Sequence, residues 1–466
     1  MASPTALIAT NPATGEVVRE TPALDPAARD ATIARVAAAA PAWRALDFAN
    51  RARLLTGVAA KMREDRERLA KVMTVEMGKP IREARGEVDK SIWCAEHYAA
   101  SAADYLAPEL IASDATESRV EYPPLGTVLG ILPWNAPFWL AFRFLAPALM
   151  AGNTCVMKHD PHVQGSALAI EAVFREVAEA SSLPVDVVAN LPLRNEDIEG
   201  AMRHPKVAAV SFTGSSRAGA IVASIAASEI KPAVLELGGS DPAIVLADAD
   251  LDQAAEILRI SRIINAGQSC IAPKRILVEA PVYEAFVERY KAQLAGLKLG
   301  DPGEESTDVG PIARSDLREI LHRQVRETVD AGATCLLGGE LPEGPGWFYP
   351  VTLLTDVTPD MTACTEETFG PVGVVLKVKD RDEALRLAND TPYGLAASVW
   401  SKDVAGAEAL AREIEAGQVV INGIVKTDPR LPSGGIKRSG YGRELGPHGI
   451  REFVNTKQVW VGPKVG

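Results

Sequence analysis

One cysteine in the stretch "NAGQSCIAPKR" (265–275), Cys270, follows a Gly-Gln turn where the chain leaves a hydrophobic, helix-patterned segment. A thiolate there would attack an electrophilic carbon, given a base nearby and a donor for the oxygen that becomes negative. Free cysteine is also among the most often buried residue types, so position alone leaves a plain packing role open. Glu236, in "AVLELGGSDP", ends an apolar run just before a Gly-Gly turn. Partial desolvation would raise its pKa and suit it to general-base work near neutrality, whereas a solvated strand-end glutamate would be inert. Asn135, in "LPWNAPFWLAFR", stands two residues before Pro137. It either caps a helix whose first turn holds the proline or donates its amide N–H to an oxyanion.

A second group of residues suits a phosphate-bearing ligand. "VSFTGSSRAGA" (210–220) runs from a strand pattern through Gly214 and Ser215 into a helix pattern. Such a turn offers free backbone N–H groups at the positive end of a helix. It is neither a GxGxxG nor a Walker loop, so this stretch alone is weakly diagnostic. Lys158, in "NTCVMKHDP", follows an apolar strand and could reach a ribose or phosphate, or simply be solvated. "EETFGP" (366–371) and "LPSGGIKRSGYGRELG" (431–446) are polar and turn-rich, the composition of loops that cover a site. The six histidines and five cysteines show no metal-ligand spacing, so no metal is expected. A Cys–His hydrolase has no histidine near Cys270 in sequence to support it.

These groups must be positioned by a large frame. At 466 residues the chain exceeds one ordinary core, and 47% hydrophobic with 24% charged residues is the balance of a soluble folded protein. A net charge of −12 argues against nucleic-acid or anionic-membrane partners, and an anionic substrate would need a local positive group. Scattered, odd-numbered cysteines, no signal-like start and no membrane-length apolar run lead to a cytoplasmic expectation. Residues 25–110 carry apolar positions at three- and four-residue spacing, which predicts helices. From 124 to 237, and again from 241 to about 436, short apolar runs alternate with helical segments. That alternation predicts two α/β units with parallel sheets. "TESRVEYPP" (116–124) and the tail "REFVNTKQVWVG" read as extended segments suited to pairing with another element or subunit.

Read together, "NPATGE" (11–16), "PWNAPF", "GNTCVMK", "FTGS", "LELGG", "GQSC", "EETFGP" and "GGIKRSGYGREL" stand in the order found in the NAD(P)-dependent aldehyde dehydrogenase superfamily. The chain resembles that family over nearly its whole length, including the 34-residue spacing from Glu236 to Cys270. The resemblance implies Cys270 as nucleophile, Glu236 as general base and Asn135 as oxyanion amide. It implies Trp134, Lys158, Gly214, Ser215, Glu367 and Phe369 as cofactor-binding residues. The implied architecture is a Rossmann-like cofactor domain (1–111 and 126–237), an α/β catalytic domain (238–436) and a small β oligomerisation arm (112–125 and 437–466). A homodimer or homotetramer follows from that arm. An intact Cys270, Glu236 and Asn135 set disfavours a catalytically silent relative serving as a binding protein.

Within the superfamily, "PWNAPFWLAFRF" with "LMAGNTCVMKHDP" is most similar to the succinate-semialdehyde dehydrogenase group. Arg143 matches the arginine by which that group holds a substrate's distal carboxylate, although an arginine paired with a structural carboxylate is an equal expectation. Ser433 stands where the family usually has an aromatic residue, so it either widens the pocket or adds a hydroxyl for a carboxylate. A broad-range or aromatic aldehyde dehydrogenase is therefore the main alternative. Ile264 and Ala272 replace an arginine and a cysteine that some members of the group carry. No redox switch is expected at Ala272. Pro161 occupies the position of a glutamate that favours NAD in relatives, so either NAD or NADP is admitted and NADP is favoured.

Overall fold

The computed structural model describes residues 6–463. Residues 1–5 of the expected cofactor segment and 464–466 of the expected arm lie outside the described residues. A two-stranded antiparallel hairpin, Ala6–Thr10 with Val17–Pro22, opens the chain. Four helices follow, Pro26–Ala45, Phe48–Glu64, Arg66–Met77 and Ile81–Tyr105. The first two start on aspartates whose side chains accept from the helix: Asp25 from Ala28 N–H and Asp47 from Asn50 N–H. The third stops at Gly78, whose φ of 75° is the left-handed turn that ends a helix ahead of Pro80.

The first of two large sheets has six strands, in the order Gly440–Tyr441, Ala233–Glu236, Val207–Thr213, Thr127–Leu132, Thr154–His159 and Val188–Asn190. All neighbouring pairs are parallel except the outermost, where Gly440 pairs antiparallel with Glu236. Thr127–Leu132 and Thr154–His159 are buried at every position, because helices cover both faces. One face packs on the helices between Phe48 and Tyr105 together with Pro137–Met150. The other face packs on Pro26–Ala45, Ile198–Arg203 and Ser216–Ser228. The chain order reverses at Thr127–Leu132, which lies between Thr154–His159 and Val207–Thr213. Beyond the carboxyl ends of strands at such a reversal, the departing loops separate and leave a crevice.

The second sheet has seven strands, in the order Thr334–Leu337, Thr352–Thr355, Val372–Val378, Arg275–Glu279, Pro242–Val245, Ala396–Trp400 and Gln418–Ile421. It is parallel except for the edge pair Thr334–Leu337 with Thr352–Thr355. A small antiparallel sheet joins Glu109–Leu110, Glu117–Glu121 and Lys457–Val461. Residues after 436 thus do two things. Gly440–Tyr441 completes the six-stranded sheet beside Glu236, and Lys457–Val461 joins the small one. No helix among the described residues is long and apolar enough to cross a membrane.

Candidate active site

Cys270 sits on a loop that the backbone holds in an unfavourable shape. Helix Leu251–Ile263 ends, and Asn265, Ala266 and Gly267 then take φ values of 57°, 52° and 73° in succession. Left-handed conformations cost free energy for residues other than glycine, so neighbouring groups must hold them. Glu83 accepts the Asn265 N–H at 2.6 Å, and the Asn265 amide donates to the Asn135 carbonyl at 2.8 Å. Buried Arg262 donates to the carbonyls of Gly267, Thr368 and Gly370. Only glycine fits at 267, since a Cβ there would lie 2.2 Å from the Gly370 carbonyl oxygen. Lys274, fully buried, donates to the Ser269 carbonyl at 2.8 Å and also to that of Cys270. Burial pushes the Cys270 thiol up to about 11, against the lowering effect of the Lys274 and Arg143 charges.

Glu236 ends its strand buried, with 4% of its surface exposed, so the solvated strand-end alternative does not hold. Its Oε2 accepts from Arg143 Nη2 at 2.9 Å, while its Oε1 has no hydrogen-bond partner. Desolvation raises the carboxyl to about 7; Arg143 opposes this and the nearby Glu444 charge adds to it. Glu444 is itself buried and forms an ion pair with the same guanidinium. Of the two partners expected for Arg143, then, the structure supplies carboxylates of the protein. Arg143 lies two turns into helix Pro137–Met150, as its spacing from Pro137 predicts. The Ser433 hydroxyl accepts from Gln418 Nε2 at 2.9 Å and, at a long 3.5 Å, from Arg143. The adjacent Gly434 has φ +152°, and a Cβ there would come within 2.8 Å of Glu236 Oε1.

Asn135 does not cap the helix that follows it. The residue at the cap position is Ala136, which contributes no side-chain bond. Glu87 takes over from another helix, accepting the Phe138 and Trp139 N–H groups at 2.9 and 3.1 Å. Lys79 neutralises Glu87 and donates to the Asn135 carbonyl at 3.0 Å. The Asn135 side chain is thereby free to face the Cys270 loop, where Nδ2 donates to the Gln268 carbonyl at 3.1 Å. An amide nitrogen carries two hydrogens, so one donor remains.

These groups line one cleft of about 580 Å³, whose lining also includes Lys90, Lys426 and Thr427. On the crevice side stand Trp134, Gly214, Ser215, Gly238, Glu367 and Phe369. Ser215 caps helix Ser216–Ser228 by accepting from Ala218 N–H at 3.3 Å, which leaves the helix N-terminus at the crevice. Trp134 and Phe369 meet edge to face with centroids 5.9 Å apart. Glu367 accepts from Gly239 N–H at 3.2 Å and pairs with Lys274 at 3.4 Å. A Cβ at Gly238 would lie 2.3 Å from Glu367 Oε2, so the bare backbone keeps that wall open. Lys158 lies outside the cleft lining, buried in its strand, and donates to Asn195 at 2.6 Å. Burial lowers it to about 8. A crevice with a helix N-terminus and an aromatic pair, with the buried cation of Lys158 in a strand of the same sheet, fits a dinucleotide. No group of three or more His, Cys, Asp or Glu among the described residues is arranged to hold a metal ion.

Sequence reasoning missed Glu444, Lys274, Glu83, Glu87 and Lys79. Glu444 lies within "GYGREL", a stretch singled out only as a covering loop. Glu83 and Glu87 are helical, while Lys79 and Lys274 lie in connections, and none carries a local signal because charged residues ordinarily face water.

The aldehyde dehydrogenase family model matches residues 2–459. A succinate-semialdehyde dehydrogenase [NADP(+)] of Mycobacterium ulcerans is 46% identical over 457 residues, covering 97% of this chain and 99% of that one. Its counterpart in Mycolicibacterium paratuberculosis is 45% identical over 457 residues, covering 97% and 96%. The crystal structure of succinic semialdehyde dehydrogenase from Streptococcus pyogenes, in complex with NADP+, superposes with a TM-score of 0.95 at 33% identity, covering 98% and 100%.

Proposed function

The chain belongs to the aldehyde dehydrogenase family, and from that premise we propose that it oxidises succinate semialdehyde to succinate with NADP, Cys270 being the nucleophile. The observation that carries the hydrolytic outcome is Glu236, a buried carboxyl near 7 that shares the cleft with Cys270. A thiol pushed up to about 11 is protonated at neutral pH and needs a base, and Glu236 is poised to accept that proton. The thiolate adds to the aldehyde carbon, and the second Asn135 amide hydrogen donates to the oxygen that becomes negative. When bound, the dinucleotide supplies the nicotinamide ring that accepts the hydride from the carbon attached to Cys270. A thioester on Cys270 remains. Arg143 holds Oε2 of Glu236 and leaves Oε1 unpartnered, the atom able to take a proton from the water that releases the acid.

Gly214, Ser215 and the N-terminus of helix Ser216–Ser228 would hold the pyrophosphate, Lys158 the adenosine ribose with its 2′-phosphate, and Glu367 with Phe369 the nicotinamide riboside. NADP is the cofactor named for the relatives. The substrate reading draws on the same relatives. A cytoplasmic location and a homodimer or homotetramer complete the proposal. Exposed Leu110, Trp460 and Val461 on the small antiparallel sheet support association through it.

The test compares kcat/KM for succinate semialdehyde and for butanal, which has the same carbon count without the carboxylate, using NADP. A preference of at least about 100-fold, or about 2.7 kcal/mol, supports the substrate assignment. Equal values make the protein a general aldehyde oxidiser. Acid formed with no nicotinamide reduced would overturn the reaction class.

A further inference from the structure

A distal carboxylate on the substrate needs a cation, and Arg143 is already committed. Its guanidinium faces both Glu236 and Glu444, so one positive charge meets two carboxyl groups in a buried setting. A substrate carboxylate arriving there would be a third acid around one cation. Withdrawing Arg143 to meet it would leave two buried carboxyl groups unpaired, which is costly.

The same cleft holds cations with a different balance. Lys90 and Lys426 both line it, and neither has a carboxylate oxygen within 4.0 Å among the described residues. Glu83 and Glu87 line it too, but Glu87 is paired with Lys79 and Glu83 accepts from Asn265 N–H. Lys90 is also aimed. Its Nζ donates to Thr427 Oγ1 at 2.8 Å and lies 4.2 Å above the centre of the Trp139 ring. An ammonium has three hydrogens, so two remain for a ligand. Burial and the Arg143 and Lys426 charges lower Lys90 to about 8, despite Glu87 and Cys94, so it is short of a compensating anion. The same lining carries the apolar side chains of Trp139, Ile264 and Val425. An apolar wall suits the methylene groups that separate an aldehyde from a distal acid.

We propose that Lys90 and Lys426, with the Thr427 hydroxyl, bind the distal carboxylate of the aldehyde substrate within the cleft that Cys270 also lines. The inference rests on the semialdehyde reading above. It makes Lys90 a specificity residue and leaves Arg143 to hold Glu236.

The experiment measures the ratio of kcat/KM for succinate semialdehyde to that for butanal in wild type, Lys90→Met, Lys426→Met and Lys90→Arg. Lys90→Met is expected to lower the ratio at least about tenfold, the loss of a charge-assisted hydrogen bond. Lys426→Met, at an exposed position, should lower it less, and Lys90→Arg should keep most of it. Butanal turnover in each variant reports that the site has folded. A wild type that prefers the semialdehyde, with a ratio that survives both methionine substitutions, overturns the lysine site and leaves the substrate reading standing. A wild type with no preference overturns the substrate reading and the lysine site with it.

Discussion

Arg143 and Glu236 meet in a buried ion pair, Nη2 to Oε2 at 2.9 Å, across 93 positions of chain. The guanidinium is shared with Glu444, which the antiparallel bridge between Ser433 and Glu444 places beside it. This arrangement ties the ionisation of the proposed base to a cation on helix Pro137–Met150, and it sets the terms for what substitutions here should do.

Replacing Arg143 by Met should leave Glu236 and Glu444 facing each other without a cation. Removing one partner of a buried pair destabilises by about 3–5 kcal/mol. The carboxyl of Glu236 should rise further, so the pH at which turnover reaches half its plateau should move up. Thermal unfolding and a kcat–pH profile together check this. A variant with wild-type stability and an unshifted profile would contradict it.

Glu236 itself gives two pH signatures of opposite sign. As a base it works ionised, so kcat should climb through about pH 7 and level off above it. Its folded pKa lies above the ordinary carboxyl value of 4.5, so between the two the folded state binds more protons than the unfolded one. Its contribution to stability is therefore full below 4.5 and lost as pH rises through 7. In Glu236→Gln neither the Cys270 thiol proton nor the water proton has its acceptor, so acylation and deacylation should both slow, and kcat should fall and lose its climb through about pH 7. Rapid-mixing absorbance should accordingly show a slowed first turnover.

Asn135→Ala removes the side-chain donor proposed for the oxyanion and leaves Glu87 still capping the helix. The expected cost is about 10²–10³ in kcat, the range for loss of one such donor. Melting temperature should change little, which separates this outcome from a structural defect.

Lys158→Met should act on cofactor binding. KM for NADP should rise by about tenfold or more with kcat little altered, the pattern of lost uniform binding. In the wild type, Lys158 loses its charge as pH passes about 8, so KM for NADP should rise over that interval. Initial rates at saturating aldehyde measure both.

Much of the frame was legible because its signals are local. The runs at 127–132, 154–159 and 207–213 are short, apolar and flanked by turn residues, and each forms a parallel strand. "FTGS" reads as strand, glycine and helix start from consecutive residues, and the structure builds it so. The edge pair Thr334–Leu337 with Thr352–Thr355 was not anticipated, since nothing in either segment announces an antiparallel partner fifteen or more residues away.

The sequence by itself determined most of the elements, the turn at Cys270 and the family resemblance, because periodicity, turn chemistry and motif spacing are properties of neighbouring positions. Only the tertiary structure decided the charge states and partners. Arg143 could have faced a substrate or a protein carboxylate, and Asn135 could have capped its own helix. Glu444 and Glu236 give Arg143 its protein partners and Glu87 takes the cap that Asn135 leaves, each contact coming from a distant part of the chain. Desolvation of Glu236 and the missing counter-charge at Lys90 arise from what packs around a group and from what does not. Neither is written in the residues beside it.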